Sequence, residues 1–94
     1  LFSVFVGKKK KFEQAVLVKL AGQEELQRLG FITQSNLDQL GLDDKVAVYF
    51  PHSYNFSGNL FIVSKKNITP IDVAASEAMK FIVSGGVANL KKLK

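Results

Sequence analysis

The sequence contains no cysteine, and this absence removes several kinds of chemistry at once. A chain without thiols forms no disulfide, offers no thiol nucleophile and holds no cysteine-ligated zinc. His52 is the only histidine, so a transition-metal site built from several imidazoles is not expected either. We therefore predict neither a metal nor any other cofactor.

Long hydrophobic runs and arginine are also scarce. No apolar run reaches 18 residues, so this stretch does not span a bilayer. Arg28 is the only arginine among 13 basic residues, whereas nucleic-acid readers commonly use arginine for bidentate contacts to guanine or phosphate. The net charge of +5 comes mostly from lysine, which favours diffuse attraction to an anionic surface such as a bilayer leaflet. An ordinary solvated surface is an equally good interpretation.

The apolar content is that of one folded domain: 94 residues, of which 47% are hydrophobic. Apolar stretches predict strands at 16–20, 30–33, 46–50 and 60–63. The third of these is apolar on both faces, which is typical of a central strand. Of the polar stretches, we expect a turn or a short helical piece at 23–28, and an ordered loop or one helical turn at 35–45. Residues 68–71 are expected to be extended, because the residue before a proline disfavours helix.

A helix is predicted to begin near Asp72 or Ala74, with Glu77 in its first turns where a negative charge suits the helix N-terminus. Its apolar stripe has the spacing i, i+3, i+4, i+7 and is suited to packing on a sheet: Ala75, Ala78, Met79 and Ile82. The order β-β-β-β-α predicts an α+β domain, a small, mostly antiparallel sheet or half-barrel of about four strands covered by the C-terminal helix. We place this domain at 12–87, after a basic lead-in at 1–11 and before a lysine-rich tail at 88–94.

Two glycines, Gly85 and Gly86, follow the predicted helix. Glycines that cradle a phosphate precede a helix, where free N–H groups and the positive end of the dipole meet the anion. The position after a helix instead predicts a cap, in which a glycine with positive φ closes a Schellman motif. The second glycine permits a chain reversal, and we expect Val87 to pack back on the helix.

His52 is the one candidate for acid–base chemistry. A histidine general base needs a nucleophile and an orienting carboxylate. Ser53 and Ser57 are close in sequence, yet no G-x-S-x-G nucleophile elbow is present. We therefore favour a surface-loop histidine and predict no catalytic residue. A small ligand-binding or hydrolase domain remains an alternative, which requires a pocket around His52 with a carboxylate within hydrogen-bonding reach.

The loop that holds His52 also carries Tyr54 and Phe56 among polar neighbours. These aromatic side chains either fold back onto the sheet as a lid, the interpretation we slightly favour, or form a contact patch for a partner or a membrane interface.

The strongest charge feature is a run of four lysines: Lys8, Lys9, Lys10 and Lys11. Near an anionic membrane surface each lysine contributes on the order of 1 kcal/mol, so the run is a candidate membrane-surface contact. The alternative is a soluble nucleic-acid-binding module with strongly salt-dependent binding. That alternative is not favoured, because the sequence shows no RNP-like aromatic motif, GXXG loop or basic recognition helix.

The second half of the chain has a recognisable order of motifs: VAVYFPHSYNFSGNLFIVS, followed by AASEAMKFIVSGGV. It resembles the C-terminal part of the domain of unknown function 502 family, which includes the continuous-vascular-ring-like proteins. In that family an apolar strand is followed by V-P-T, a short loop, a glycine, a second apolar strand and a helix ending I-x-S-G-G. The matching residues here are Pro51, Gly58, Ser84, Gly85 and Gly86.

The earlier stretches KKKFEQAVLV and LGFIT are similar to the family's basic lead-in, first strand and G-F-x-T segment, so the resemblance covers most of residues 9–87. His52 departs from the pattern, since the family often has threonine there. Ala74 stands where a serine cap is common.

The resemblance implies a membrane setting, because family members are integral membrane proteins with two hydrophobic spans ahead of a soluble domain. Leu1 would then follow the second span in a longer chain, Lys8 to Lys11 would be juxtamembrane, and the positive-inside rule would place the domain in the cytoplasm. The resemblance brings no catalytic residues with it. Our first interpretation is therefore a non-enzymatic domain that binds an unknown protein partner or the membrane surface. A homo-oligomer formed by pairing of an exposed edge strand stays open.

Overall fold

The computed structural model describes residues 14–20 and 22–91. The whole lead-in assigned to 1–11, with its four lysines at 8–11, lies outside the described residues. The described elements are β1 (Ala15–Leu20), β2 (Gln23–Gln34), β3 (Lys45–Pro51), β4 (Gly58–Ser64), β5 (Ile68–Pro70) and α1 (Ala75–Val83), with single 3₁₀ turns at Asp38–Leu40 and Lys65–Asn67. The strands form one open antiparallel sheet in the order β4-β3-β2-β1-β5. The predicted α+β class is confirmed, with five strands in the sheet.

β2 is longer than its apolar pattern indicates. The prediction of a turn or helical piece at 23–28 is wrong, because this polar stretch forms the first half of β2. It pairs with β1 through Lys19 opposite Gln27 and Val18 opposite Arg28. Gly22, with φ 73°, makes the tight connection between the two strands. Pairing along an apolar neighbour thus overrides the weak strand propensity of these residues.

The sheet has apolar side chains on both faces, as expected from the alternation of side chains along a strand. One cluster packs between the sheet and α1: Ala15, Phe31, Val73, Ala78 and Ile82. Ala75 and Met79 pack against this cluster, which confirms the predicted stripe of the helix. The other cluster lies on the opposite face: Val16, Val18, Val46, Val48 and Phe50. β3 supplies three of these five, as a central strand should.

The sheet is curved into a half-barrel. β4 and β5 are its two edges, and a flat sheet of five strands would separate them by roughly 19 Å. Only Lys65–Asn67 lies between them in the chain, and so short a connection spans at most about 14 Å. Val63 of β4 and Ile68 of β5 accordingly pack on the same cluster, the one opposite α1. The concave face therefore encloses this second cluster, and α1 covers the convex face.

Candidate functional site

The two glycines close α1 with a Schellman motif. Gly85 and Gly86 have φ 70° and 93°. The Gly85 N–H donates to the Ile82 carbonyl at 3.0 Å, and the Gly86 N–H donates to the Phe81 carbonyl at 2.8 Å. The Ser84 N–H donates to the Lys80 carbonyl, so all three amides at 84–86 serve the helix. They form the cap predicted from the sequence rather than a cradle for an anion.

Val87 does not pack back on the helix, and that expectation is wrong. Its side chain is 78% exposed. The reason is the hydrogen bonding of the turn: the Val87 N–H donates to the Ser84 carbonyl at 3.4 Å, and the Ala88 N–H donates to the Ser84 hydroxyl at 2.9 Å. These hydrogen bonds hold the chain beside the turn, so the Val87 side chain points to solvent.

The loop at 52–57 docks on the same helix end. The last carbonyls of a helix have no partner within it. Here Ser53 Oγ donates to the Ile82 carbonyl at 2.7 Å, and the Tyr54 N–H donates to the Val83 carbonyl at 2.8 Å. The Tyr54 hydroxyl donates to the Ser84 carbonyl at 2.9 Å. Tyr54 thus folds back and completes the cap, at the cost of a positive φ of 56°.

Phe56 behaves differently from Tyr54. Its side chain is 99% exposed. The loop around it is nevertheless ordered, because Tyr54 anchors one side and His52 bridges the base. The favoured interpretation of a lid on the sheet is therefore wrong for both residues: Tyr54, 77% exposed, is held at the helix end through its hydroxyl, and Phe56 is presented to solvent.

His52 ties the two ends of this loop together. Its Nδ1 lies 2.7 Å from Ser57 Oγ, and its Nε2 lies 3.2 Å from Asn59 Nδ2. A tautomer with the proton on Nδ1 satisfies both contacts. No carboxylate among the described residues hydrogen-bonds to the ring, so the orienting acid of a catalytic triad is lacking in this part of the chain.

A cleft of about 440 Å³ runs beside His52, between the sheet and the end of α1. No acidic residue lines this cleft. Its lining consists of Gln27, Arg28, Leu29, Pro51, His52, Ser53, Phe81, Ile82, Gly85 and Gly86. The described residues also contain no group of three or more His, Asp or Glu side chains that could hold a metal ion. The cleft consequently has no pair of groups suited to general acid–base work.

The residues that carry the family-like pattern meet at this corner of the fold. Pro51 pairs with Gly58 at the base of the loop. A Cβ on Gly58 would lie 2.5 Å from Cζ and the hydroxyl oxygen of Tyr49, so the ring passes there only because the residue is glycine. A Cβ on Gly85 would lie 3.0 Å from Tyr54 Cε2. The pattern is thus accounted for by packing of the loop against the helix end.

The exposed apolar surface of β4 was not singled out by the sequence reasoning. Leu60, Phe61 and Ile62 are 62%, 47% and 40% exposed. We call these three residues the β4 edge patch; Leu60 and Ile62 project from one face of the strand and Phe61 from the other. β4 contains no charged residue, and no strand among residues 14–20 and 22–91 pairs with its outer side, which therefore offers the N–H and C=O groups of an edge strand. The feature of the sequence that indicates this surface is the long stretch 46–64, which contains no Asp, Glu, Lys or Arg.

The opposite edge of the sheet is protected. β5 has only three residues, and Pro70 in it has no N–H to donate. Short strands and proline are devices by which natural sheets avoid pairing with other chains. Only one of the two edges is therefore open to a seven-residue partner strand.

The folded body has no excess charge. Residues 14–91 contain seven basic and seven acidic residues, so the surplus of +5 lies in the terminal segments, including Lys8 to Lys11. Within the part of the chain that the structure describes, two ion pairs lie at the surface, Lys45 with Asp44 at 3.7 Å and Lys80 with Glu77 at 3.8 Å. Arg28 stacks over the Phe50 ring, 5.2 Å from its centroid. A broad basic face for nucleic acid is not formed by this part of the chain.

The one α-helix of the described residues is nine residues long and too short to cross a membrane.

A family model described as Protein of unknown function (DUF502) matches residues 1–58, more than half of the chain. The match covers the lysine run, β1 to β3 and the loop as far as Gly58. The segment with β4, β5 and α1 lies beyond it. Comparisons with curated proteins and with solved structures gave no match.

Proposed function

The chain belongs to the DUF502 family, and from that premise we propose that it is a non-enzymatic domain that binds a protein partner along the β4 edge patch. One observation carries the proposal: three consecutive large apolar side chains are exposed on an uncharged, unpaired edge strand. Covering a half-exposed large side chain contributes roughly 1 kcal/mol to the binding free energy. Hydrogen bonds to the free N–H and C=O groups of the edge fix the register of the added strand. The surface is suited to strand addition by a partner.

The proposal includes a membrane setting with the domain on the cytoplasmic side. Its support is the family's two hydrophobic spans and the lysine run that would follow them. The excess charge lies outside the neutral body. Contact with anionic lipid is therefore assigned to Lys8 to Lys11, which leaves the β4 edge patch available for a protein.

Two other functions have less support. A nucleic-acid-binding module would have to rely on the terminal lysines, because the body is neutral and Arg28 lies over Phe50. A hydrolase would need a carboxylate at His52, whose ring instead contacts Ser57 and Asn59.

Photo-crosslinking tests the protein-binding surface. A photoreactive amino acid at position 60 of the full-length protein, expressed in cells, is compared with the same amino acid at position 69 on β5. Both positions are exposed and lie on opposite edges of the sheet. We expect protein adducts from position 60 and few from position 69. Equal yields from both positions, or no adduct from position 60, would contradict the proposal.

Vesicle flotation tests the membrane assignment. The 94-residue chain is mixed with vesicles containing phosphatidylserine or with neutral vesicles. We expect flotation only with the anionic lipid, and loss of flotation when Lys8 to Lys11 are replaced by glutamine. Salt-sensitive binding of RNA or DNA without flotation would favour the nucleic-acid alternative.

A further inference from the structure

We propose that the partner on the β4 edge is a second copy of this chain, so that two β4 strands pair antiparallel and form one continuous ten-stranded sheet. The inference rests on the proposed function and specifies the occupant of the surface. It is carried by three features of the edge: its symmetry, its lack of charge and the protection of the other edge.

The exposed apolar residues Leu60, Phe61 and Ile62 are placed symmetrically about the centre of the strand. β4 runs from Gly58 to Ser64, and Phe61 is the fourth of its seven residues. Antiparallel pairing about a two-fold axis that uses the whole strand puts Phe61 opposite Phe61 of the second copy. Leu60 then lies opposite Ile62, since these positions are related by the same axis. Every large apolar side chain of the patch on β4 meets another apolar side chain.

The charges allow this register. Each chain carries a net charge of +5, yet β4 itself has none. The lysines that follow the strand, Lys65 and Lys66, lie in the 3₁₀ turn beyond its end and are not part of the paired ladder. The two copies of Lys65 are then roughly 27 Å apart, well beyond the screening length of about 8 Å at physiological salt.

Because β4 has no charged residue, the edge cannot discriminate between partner strands through charge pairs. The apolar edge of one copy is complementary to the same edge of a second copy. The short β5 edge with Pro70 cannot continue the pairing, so the assembly closes at two copies and does not grow into a fibre.

The contact is small. Each copy contributes a single seven-residue strand with three exposed apolar side chains, less than the roughly 1,200 Å² of a standard stable interface. We expect a dissociation constant on the order of 10 µM or weaker for the free chain. Tethering to a membrane raises the effective concentration, so pairing is favoured there.

Analytical ultracentrifugation of the 94-residue chain tests the inference over concentrations from about 1 µM to about 1 mM. We expect a concentration-dependent shift from monomer to dimer. Leu60→Lys should weaken the dimer at least tenfold, because it places a charge opposite Ile62. Thr69→Lys, which adds the same charge at an exposed position of β5, should leave it unchanged. Leu60 is 62% exposed, so we expect the fold to tolerate the change, and circular dichroism of each variant is the check.

Disulfide trapping tests the register. The chain has no cysteine, so a single introduced cysteine reports only on contact between copies. Paired positions in an antiparallel ladder have Cα atoms about 4.5–5.5 Å apart, within the range of a disulfide. We expect Phe61→Cys to give a covalent dimer. An equimolar mixture of Leu60→Cys and Ile62→Cys should give the mixed dimer, and Thr69→Cys should give neither.

The outcomes separate the two proposals. A monomer at every concentration, with crosslinks from position 60 to another protein, would overturn the second copy and leave the proposed function standing. A monomer without such crosslinks would overturn both. If the chain is monomeric and Leu60→Lys abolishes its flotation with vesicles, then the β4 edge patch binds lipid. This result would also overturn the inference.

Discussion

Replacing Gly30 with alanine probes the tightest packing in the sheet. Gly30 is buried in the middle of β2. A Cβ there would lie 2.7 Å from Phe50 Cδ1, 2.8 Å from the Tyr49 carbonyl oxygen and 2.9 Å from Phe50 Cε1. The Phe50 side chain is 1% exposed and has little room to move. Because one of the three atoms belongs to the backbone of β3, the pairing of the two strands must also shift.

The size of the effect follows from two opposing contributions. Overpacking a core costs about 1–3 kcal/mol, and contact with a backbone atom puts this site near 3 kcal/mol. Replacing glycine within a strand recovers up to about 1 kcal/mol through the lower entropy of the unfolded chain. We therefore expect Gly30→Ala to lower the free energy of unfolding by about 2 kcal/mol. For a domain of this size, this corresponds to a Tm lower by roughly 8–16 °C.

Urea unfolding followed by far-UV circular dichroism measures the change, with an unchanged m-value as the sign that only stability is altered. Phe50→Leu supplies the matched background, since it removes the ring atom Cε1. Gly30→Ala should cost at least about 1 kcal/mol less in that background than in the wild type. A loss of less than about 0.5 kcal/mol in the wild type, or strict additivity with Phe50→Leu, would refute the reasoning.

Three further changes address the two ends of α1, each measured by thermal and urea unfolding. Ala74→Ser should stabilise the domain by about 1 kcal/mol, because Ala74 has the extended backbone of an N-cap but no side-chain hydrogen bond; no gain would mean that serine does not reach the first-turn amides. Tyr54→Phe should cost about 0.5–1 kcal/mol through loss of the hydrogen bond to the Ser84 carbonyl, and an unchanged stability would show that the hydroxyl does not contribute to the cap. Gly85→Ala should cost about 2 kcal/mol, since its φ is 70° and its Cβ would meet the Tyr54 ring. Gly22→Ala is the control, with φ 73° but open space around the Cβ, and should cost only about 1 kcal/mol; equal losses would count against the ring contact.

The strands that carry their own apolar pattern could be predicted from the sequence. β1, β3 and β4 each contain a run of apolar residues, and Pro70 marks an extended segment. The first half of β2 could not be predicted, because residues 23–28 are polar and owe their conformation to pairing with β1. The place of β5 beside β1 is equally hidden, since Val16 and Pro70 are paired across 54 positions of chain.

The candidate site was predictable in part. Ser84-Gly85-Gly86 indicated a helix cap because glycine after a helix has a direct conformational meaning. The second half of that cap, Tyr54, lies 30 positions earlier, and its contact depends on how the sheet places the loop. The β4 edge patch required the strand order itself, since an apolar strand is buried when it is central and exposed when it is an edge.

The placement of β5 sets the order in which the chain can complete its fold. β1 to β4 are joined as successive neighbours and can assemble by hairpins, whereas β5 must return to β1 over a long chain separation. β1, the first strand of the described residues, is thus the last to gain its outer neighbour. Until β5 has docked, the described sheet displays two open edges instead of one, and in that interval the chain is most exposed to aggregation.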